Sequence, residues 1–85
     1  MNRKKRIELI LKKNFNEWNY DVIDISTDHI GHNNFDGKNE SHFKIILKND
    51  SKIDFDRISV HRKINDFLKD EFSKGLHALQ IIIEN

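Results

Sequence analysis

The spacing of apolar residues changes repeatedly along this chain, and the order of the changes admits few folds. Ile7, Ile10, Leu11, Phe15 and Trp18 recur at the three-to-four spacing of one helical face. Residues 20–26 then alternate, with Tyr20 and Val22 on one side and Ile23 and Ile25 on the other. Alternation returns over 41–48, where Phe43, Ile45 and Leu47 face the core. Helical spacing reappears at Ile64, Phe67, Leu68 and Phe72, and residues 78–83 form a nearly unbroken apolar run. Such a run predicts a central strand, or one covered on both faces. A helix between the second and third strands makes a right-handed crossover and leaves those strands parallel, while the first two pair antiparallel. The prediction is a single small α+β domain over residues 1–85, ordered α-β-β-α-α-β around a three-stranded mixed sheet.

Local signals place the boundaries. Asn2 caps the first helix, which ends near residues 14–16, where Asn recurs. Residues 27–40 are polar, hold Gly31, Gly37, Asn33, Asn34 and Asn39, and show no period. They predict a loop longer than most connections in a compact domain, hence a candidate functional segment. Asn49, Asp50 and Ser51 make a turn, and residues 53–58 are expected to form one short helical turn. Ser59 caps a helix running to about Lys74, with Gly75 as the residue that ends it. Phe15, Trp18, Phe43, Phe67 and Phe72 fall at core spacing and are assigned to packing; Tyr20 and Phe55 are left unassigned.

Composition narrows the function. A chain of 85 residues buries a modest core. The absence of cysteine removes disulfides, zinc ribbons and a thiol nucleophile. Lys and Arg number 15 against 14 Asp and Glu, so the net charge of +1 supplies no long-range field for nucleic acid or an acidic membrane. No apolar stretch approaches the roughly 18 residues of a membrane span and no signal-peptide core is present, so the expectation is a soluble protein, cytoplasmic, or organellar or nuclear if a transit segment is missing from this sequence. Gly-x-Ser-x-Gly, a Walker loop and His-Glu-x-x-His are all missing, and the chain is not expected to be an enzyme.

Histidine is the unusual component, five in all. His29 and His32 form His-x-x-His in the long loop, His42 opens the second strand, His61 lies in the first turn of the long helix, and His77 sits between that helix and the last strand. Imidazole is the commonest metal ligand, yet two loop histidines do not close the four-ligand shell of a structural zinc. The loop pair reads either as a partial metal site or as two solvated imidazoles. Asp24, at a strand end facing this loop, reads either as an imidazole partner or as an acceptor for loop N–H groups and Ser26. Arg3, Lys4, Lys5 and Arg6 oppose the dipole of the first helix and read either as a phosphate-binding arm or as a solvated helix end.

Together these stretches resemble the BolA family. The resemblance is carried by Asp24-Ile25-Ser26-Thr27-Asp28-His29-Ile30-Gly31-His32, by Glu40-Ser41-His42-Phe43-Lys44, by Val60-His61-Arg62 and by Leu76-His77-Ala78-Leu79, and it covers nearly the whole chain. The chain departs from the family pattern at Ile25, where the family has an acidic residue, at Val60, where it has Arg, and near Glu17, where it has Pro. Ile53-Asp54-Phe55 replaces a Phe-x-Gly motif.

The resemblance implies a KH-like fold of the type that begins with a helix. It also implies pairing with a monothiol glutaredoxin in iron–sulfur cluster handling, with the heterodimer sharing a [2Fe–2S] cluster and glutathione. By position, His29 and His77 are the implied cluster ligands, with His32 as the alternative to His29. Val60, His61, Arg62, Leu76 and Ala78 form the implied partner surface. A chain without cysteine cannot hold such a cluster alone, so the isolated protein is expected to be a colourless monomer without cofactor. The family's other implied role is DNA-binding transcriptional regulation in stress responses, through a helix-turn-helix-like segment at 53–74, with Arg3, Lys4, Lys5, Arg6 and Lys63 as the candidate contacts. Charge disfavours that role: on the long helix Arg62, Lys63, Lys69 and Lys74 nearly cancel against Asp66, Asp70 and Glu71. No two glycines have the Gly-x-x-Gly spacing of an RNA-binding KH loop.

Overall fold

The computed structural model describes residues 2–26 and 40–85. Helix α1 (Arg3–Asn14) begins where the Asn2 side chain accepts from the Lys5 N–H at 2.9 Å, and it buries Ile7 and Leu11. Strands β1 (Asn19–Asp24) and β2 (His42–Lys48) pair antiparallel, and β3 (Ala78–Glu84) runs parallel to β2. The crossover holds α2 (Arg57–Phe67) and α3 (Lys69–Ser73). Val22, Phe43, Ile45, Leu47 and Ile83 take alternate positions on the three strands and join Ile7, Leu11, Ile64 and Leu68 in one core. The small α+β fold, the three-stranded mixed sheet with its helical crossover and both strand directions are those expected. Among the described residues no helix is long and apolar enough to cross a membrane.

Three expectations fail, each for a local reason. First, β3 is an edge strand, because the sheet order is β1-β2-β3 and β2 is central. The unbroken apolar run arises because Ile81 and Ile83 face the core while Ile82, half-buried, lies on the opposite side of the sheet beside Ile46.

Second, residues 53–56 are not helical. The Asn49 side chain takes both backbone groups of Ile53, donating to its carbonyl and accepting its N–H at 3.0 Å each, so that residue has nothing left for a helical ladder. Half-buried Ile53 and Phe55 alternate with exposed Asp54 and Asp56 instead. The cap of α2 is accordingly Asp56, whose carboxylate accepts from the Ser59 N–H at 3.2 Å and its hydroxyl at 2.7 Å.

Third, the expected single helix breaks at Leu68, and its inward stripe is Val60, Ile64, Leu68 and Glu71 rather than one containing Phe67 and Phe72. Those two aromatics keep 39% and 36% of their surface exposed. Phe67 still meets Phe15 edge-on at 6.1 Å, and Phe55 meets Trp18 edge-on at 5.0 Å.

Candidate functional site

The C-terminal end of the crossover meets the start of β2, and two histidines meet there. Gly75, at φ 122°, turns the chain after α3, and the Leu76 N–H reaches back to the Glu71 carbonyl at 2.9 Å. The His77 N–H then donates to the Ser41 carbonyl at 2.7 Å, and the Ala78 N–H shares that acceptor at 3.2 Å, starting the β2–β3 ladder. His77 is thus exposed on a backbone fixed from both sides. His42 is buried beside it, with ring centroids 5.2 Å apart and ring planes at 52°. The Ser41 hydroxyl lies 2.8 Å from His42 Nδ1. The hydrogen bond orients the His42 ring, whereas for His77 it is the backbone that is fixed.

Ser26 and Asp24 support this corner from the end of β1. Fully buried Ser26 Oγ accepts from the N–H groups of Ser41 and His42 at 3.0 and 3.1 Å and donates to Asp24 Oδ1 at 2.5 Å. Asp24 also accepts from the Ser26 N–H at 2.9 Å and the Glu40 N–H at 3.1 Å. Partial burial works against ionising Asp24, but these hydrogen bonds and the charge of Arg3 outweigh it and lower its pKa. Asp24 thus acts as the acceptor for backbone and Ser26, and the loop histidines of its other reading lie outside the described residues.

The basic run is dispersed. Arg3 is only 8% exposed and binds Glu71 Oε1 through Nε at 2.9 Å; Arg6 reaches the same carboxylate with Nε at 2.7 Å and Nη2 at 2.9 Å. Bonds from Arg6 first, and from Arg3 after, overcome burial and lower the Glu71 pKa from 4.5 to about 2. The same contact raises that of Arg6. Only Lys4 and Lys5 of the four are left exposed, with Lys5 3.8 Å from Glu8. This arrangement withdraws Arg3 from both readings of the run and leaves Lys4 and Lys5 open to either.

The other candidates separate. Val60 and Leu76 are 7% and 3% exposed and belong to the core, so they cannot form a partner surface directly. His61 and Arg62 line a shallow 320 Å³ pocket on α2 with Arg57, Ile58 and Asn65. Ala78 is exposed beside His77. Lys63 lines a 550 Å³ groove floored by Phe15, Trp18 and Phe55. His29 and His32 lie outside the described residues. Among the described residues no three His, Cys, Asp or Glu side chains are grouped to hold a metal ion.

Sequence reasoning missed Glu71 and Asn49, both polar and both buried. The signal for Glu71 was there: it continues the Val60, Ile64, Leu68 stripe while Arg3 and Arg6 share one face of α1.

A family profile described as BolA-like protein matches residues 11–84. A protein of Sinorhizobium sp, described as an uncharacterized protein in the cobS 5′ region, is 38% identical over 82 residues, covering 95% of this chain and 88% of that one. The SufE-like protein 1, chloroplastic/mitochondrial, of Arabidopsis thaliana is 34% identical over 94% of this chain, which corresponds to 23% of its own length. The solved BolA domain of SufE1 from Arabidopsis thaliana superposes with a TM-score of 0.79 at 33% identity, covering 99% of this chain and 92% of that one. With the fold, the histidine corner and the matched residues in agreement, this chain belongs to the BolA-like protein family.

Proposed function

We propose that this protein is a non-enzymatic adaptor in iron–sulfur cluster handling, which pairs with a monothiol glutaredoxin and supplies imidazoles to a [2Fe–2S] cluster the two proteins share. The observation that carries the reading is His77: an exposed imidazole on a backbone tied to Ser41, in a chain with no thiol. His77 is the fixed ligand, and His29, with His32 as its alternative, is the loop ligand. The partner's cysteine and glutathione contribute the thiolates, as a neutral imidazole replaces a thiolate in Rieske-type centres. His61, Arg62 and Ala78 are exposed or half-buried and available for docking the partner. Nucleic-acid binding has less support, since Arg3 and Arg6 are engaged by Glu71, and Asp54 and Asp56 line the same groove as Lys63.

The test is reconstitution with a monothiol glutaredoxin and glutathione, followed by visible absorption and circular dichroism. A mixed-ligand cluster complex is expected, and pulsed EPR of its reduced form shows nitrogen couplings of histidine. His77→Ala prevents the complex. His29→Ala weakens it less, and the double variant with His32→Ala matches His77→Ala. A cluster complex without nitrogen couplings in the wild type would remove the histidines from the coordination sphere. High-affinity DNA binding that survives deletion of residues 1–6 would favour the regulator instead.

A further inference from the structure

We propose that Arg3 is a positioning residue for the imidazole corner: it fastens the segment that leads into His42 to the segment that leads into His77. The proposal deepens the reading of His77 as a cluster ligand and rests on it. Arg3 makes contacts in three directions from one side chain. Its Nη1 donates to the Glu40 carbonyl, its Nη2 to the Lys74 carbonyl at 3.0 Å, and its Nε to Glu71 at 2.9 Å. Its backbone N–H adds a bond to the Glu40 carboxylate at 2.6 Å.

These partners are not scattered. Glu40 lies one residue before Ser41, whose carbonyl holds the N–H groups of both His77 and Ala78, and two before His42. Lys74 and Gly75 lie directly before Leu76 and His77. Gly75 has φ 122°, and a Cβ placed there would lie 3.5 Å from Arg3 Nη2, so the guanidinium fits against the turn that aims His77. Glu40 holds a φ of 75°, a conformation that costs a non-glycine residue energy and persists where its surroundings fix it. Arg3 takes both the carbonyl and the carboxylate of that residue. A planar fork satisfies acceptors in several directions at once, which a lysine ammonium on a flexible stem does not. Arg6 answers a different need, since it meets Glu71 with two nitrogens and serves the charge of that carboxylate.

The experiment compares ¹⁵N-labelled wild type with Arg3→Lys, Glu40→Gln and Arg6→Gln. Arg3→Lys keeps the charge beside Glu71 and removes the fork. Native-state exchange at the His77 and Ala78 amides is expected to rise about tenfold relative to the β1–β2 amides of the same variant, the scale of one hydrogen bond lost. The ring resonances of His77 and His42 are expected to shift while those of His61 stay in place. Glu40→Gln changes the same signals less, and it carries the test should Arg3→Lys not fold. Arg6→Gln lowers the melting temperature without selective exchange at His77.

Uniform acceleration of all protected amides in Arg3→Lys, or none at residues 77 and 78, would overturn the proposal, because a merely stabilising arginine acts globally. The same proteins are then mixed with a monothiol glutaredoxin, iron, sulfide and glutathione. Loss of cluster yield in Arg3→Lys supports the coupling of Arg3 to His77. If wild type forms no cluster while Arg3→Lys still frees the His77 amide, the cluster reading fails and the positioning role stands. If all variants form the cluster equally and the amides do not differ, the positioning role fails and the cluster reading stands.

Discussion

The two ends of β2 are held by different chemistry. At its start, Ser26, Asp24 and the Arg3–Glu71–Arg6 group fasten the backbone around His42 and His77, so charge runs through most of the contacts. At its end one neutral side chain does comparable work. Asn49, 3% exposed, bonds both backbone groups of Ile53 and the Asn85 side chain, while its own N–H reaches the Glu84 carbonyl at 2.8 Å. Both ends satisfy buried backbone groups, as they must. The histidine end does so with groups that titrate, and the far end with an amide that does not. Where His77 sits, the fold is therefore sensitive to acid.

The largest effect that would break this comparison is at Glu71. Its pKa is depressed to about 2 in the fold, so its stabilisation is complete above 4.5 and is lost as pH falls from there toward about 2. A shift of that size corresponds to about 3 kcal/mol at neutral pH. Glu71→Gln is expected to cost that much in urea unfolding at pH 7, since it leaves two guanidinium groups without their carboxylate, and the difference from wild type should shrink as pH approaches 2. A Glu71→Gln penalty that is equally large at both ends of that range would place the stabilisation in packing rather than charge.

Asn49→Ala is the matching cut at the far end. It orphans the N–H and carbonyl of Ile53 and is expected to cost about 2 kcal/mol. Because no titrating group is removed, the penalty should be flat between pH 7 and the acid range where Glu71 fades. The exchange of amides 53–56 should rise, while those of His42 and His77 should not. A pH-dependent Asn49→Ala penalty would show that the two ends are coupled through β2, and the contrast between them would then be wrong.

What could be read from the sequence divides along the same line. Alternation at Phe43, Ile45 and Leu47 and helical spacing at Ile7 and Leu11 report burial directly, and the elements built from them are where they were expected. Asn2 and Gly75 acted as local signals of a helix start and a helix end because their effect needs no distant partner. Glu71 and Asn49 were missed because a buried polar residue is legible only through what it meets, and its partners here are 65 and 68 residues away in one case and backbone groups in the other. The same blindness left Arg3 and Arg6 to be read as a phosphate-binding arm or a solvated helix end, with no sign of their shared carboxylate. The short helix was misplaced because residues 53–56 are committed by the Asn49 side chain, and propensity does not record that. The placing of His77 was readable from its neighbours in sequence; its closeness to His42 required the parallel β2–β3 register.

The smallest expected effect sharpens the comparison from the other side. Lys48 and Asp21 also put a charge pair at the far end of β2, 3.1 Å apart, and it would be natural to count it against the view that this end is neutral. Both side chains are open to solvent, at 43% and 54% exposure, whereas the Glu71 carboxylate is 6% exposed. Water screens the first pair and pays no desolvation, so little is gained by making it and little is lost by breaking it. A hydrogen bond and the charge of Asp21 do raise the pKa of Lys48, but a group already charged throughout the working range contributes no pH dependence there. The double-mutant cycle of Lys48→Ala with Asp21→Ala should give a coupling within the error of urea unfolding at moderate salt, at pH 7 and at pH 5 alike. A coupling comparable to that of Arg3 with Glu71 would mean that exposure does not set the worth of charge in this sheet, and that the acid sensitivity extends along the whole of β2.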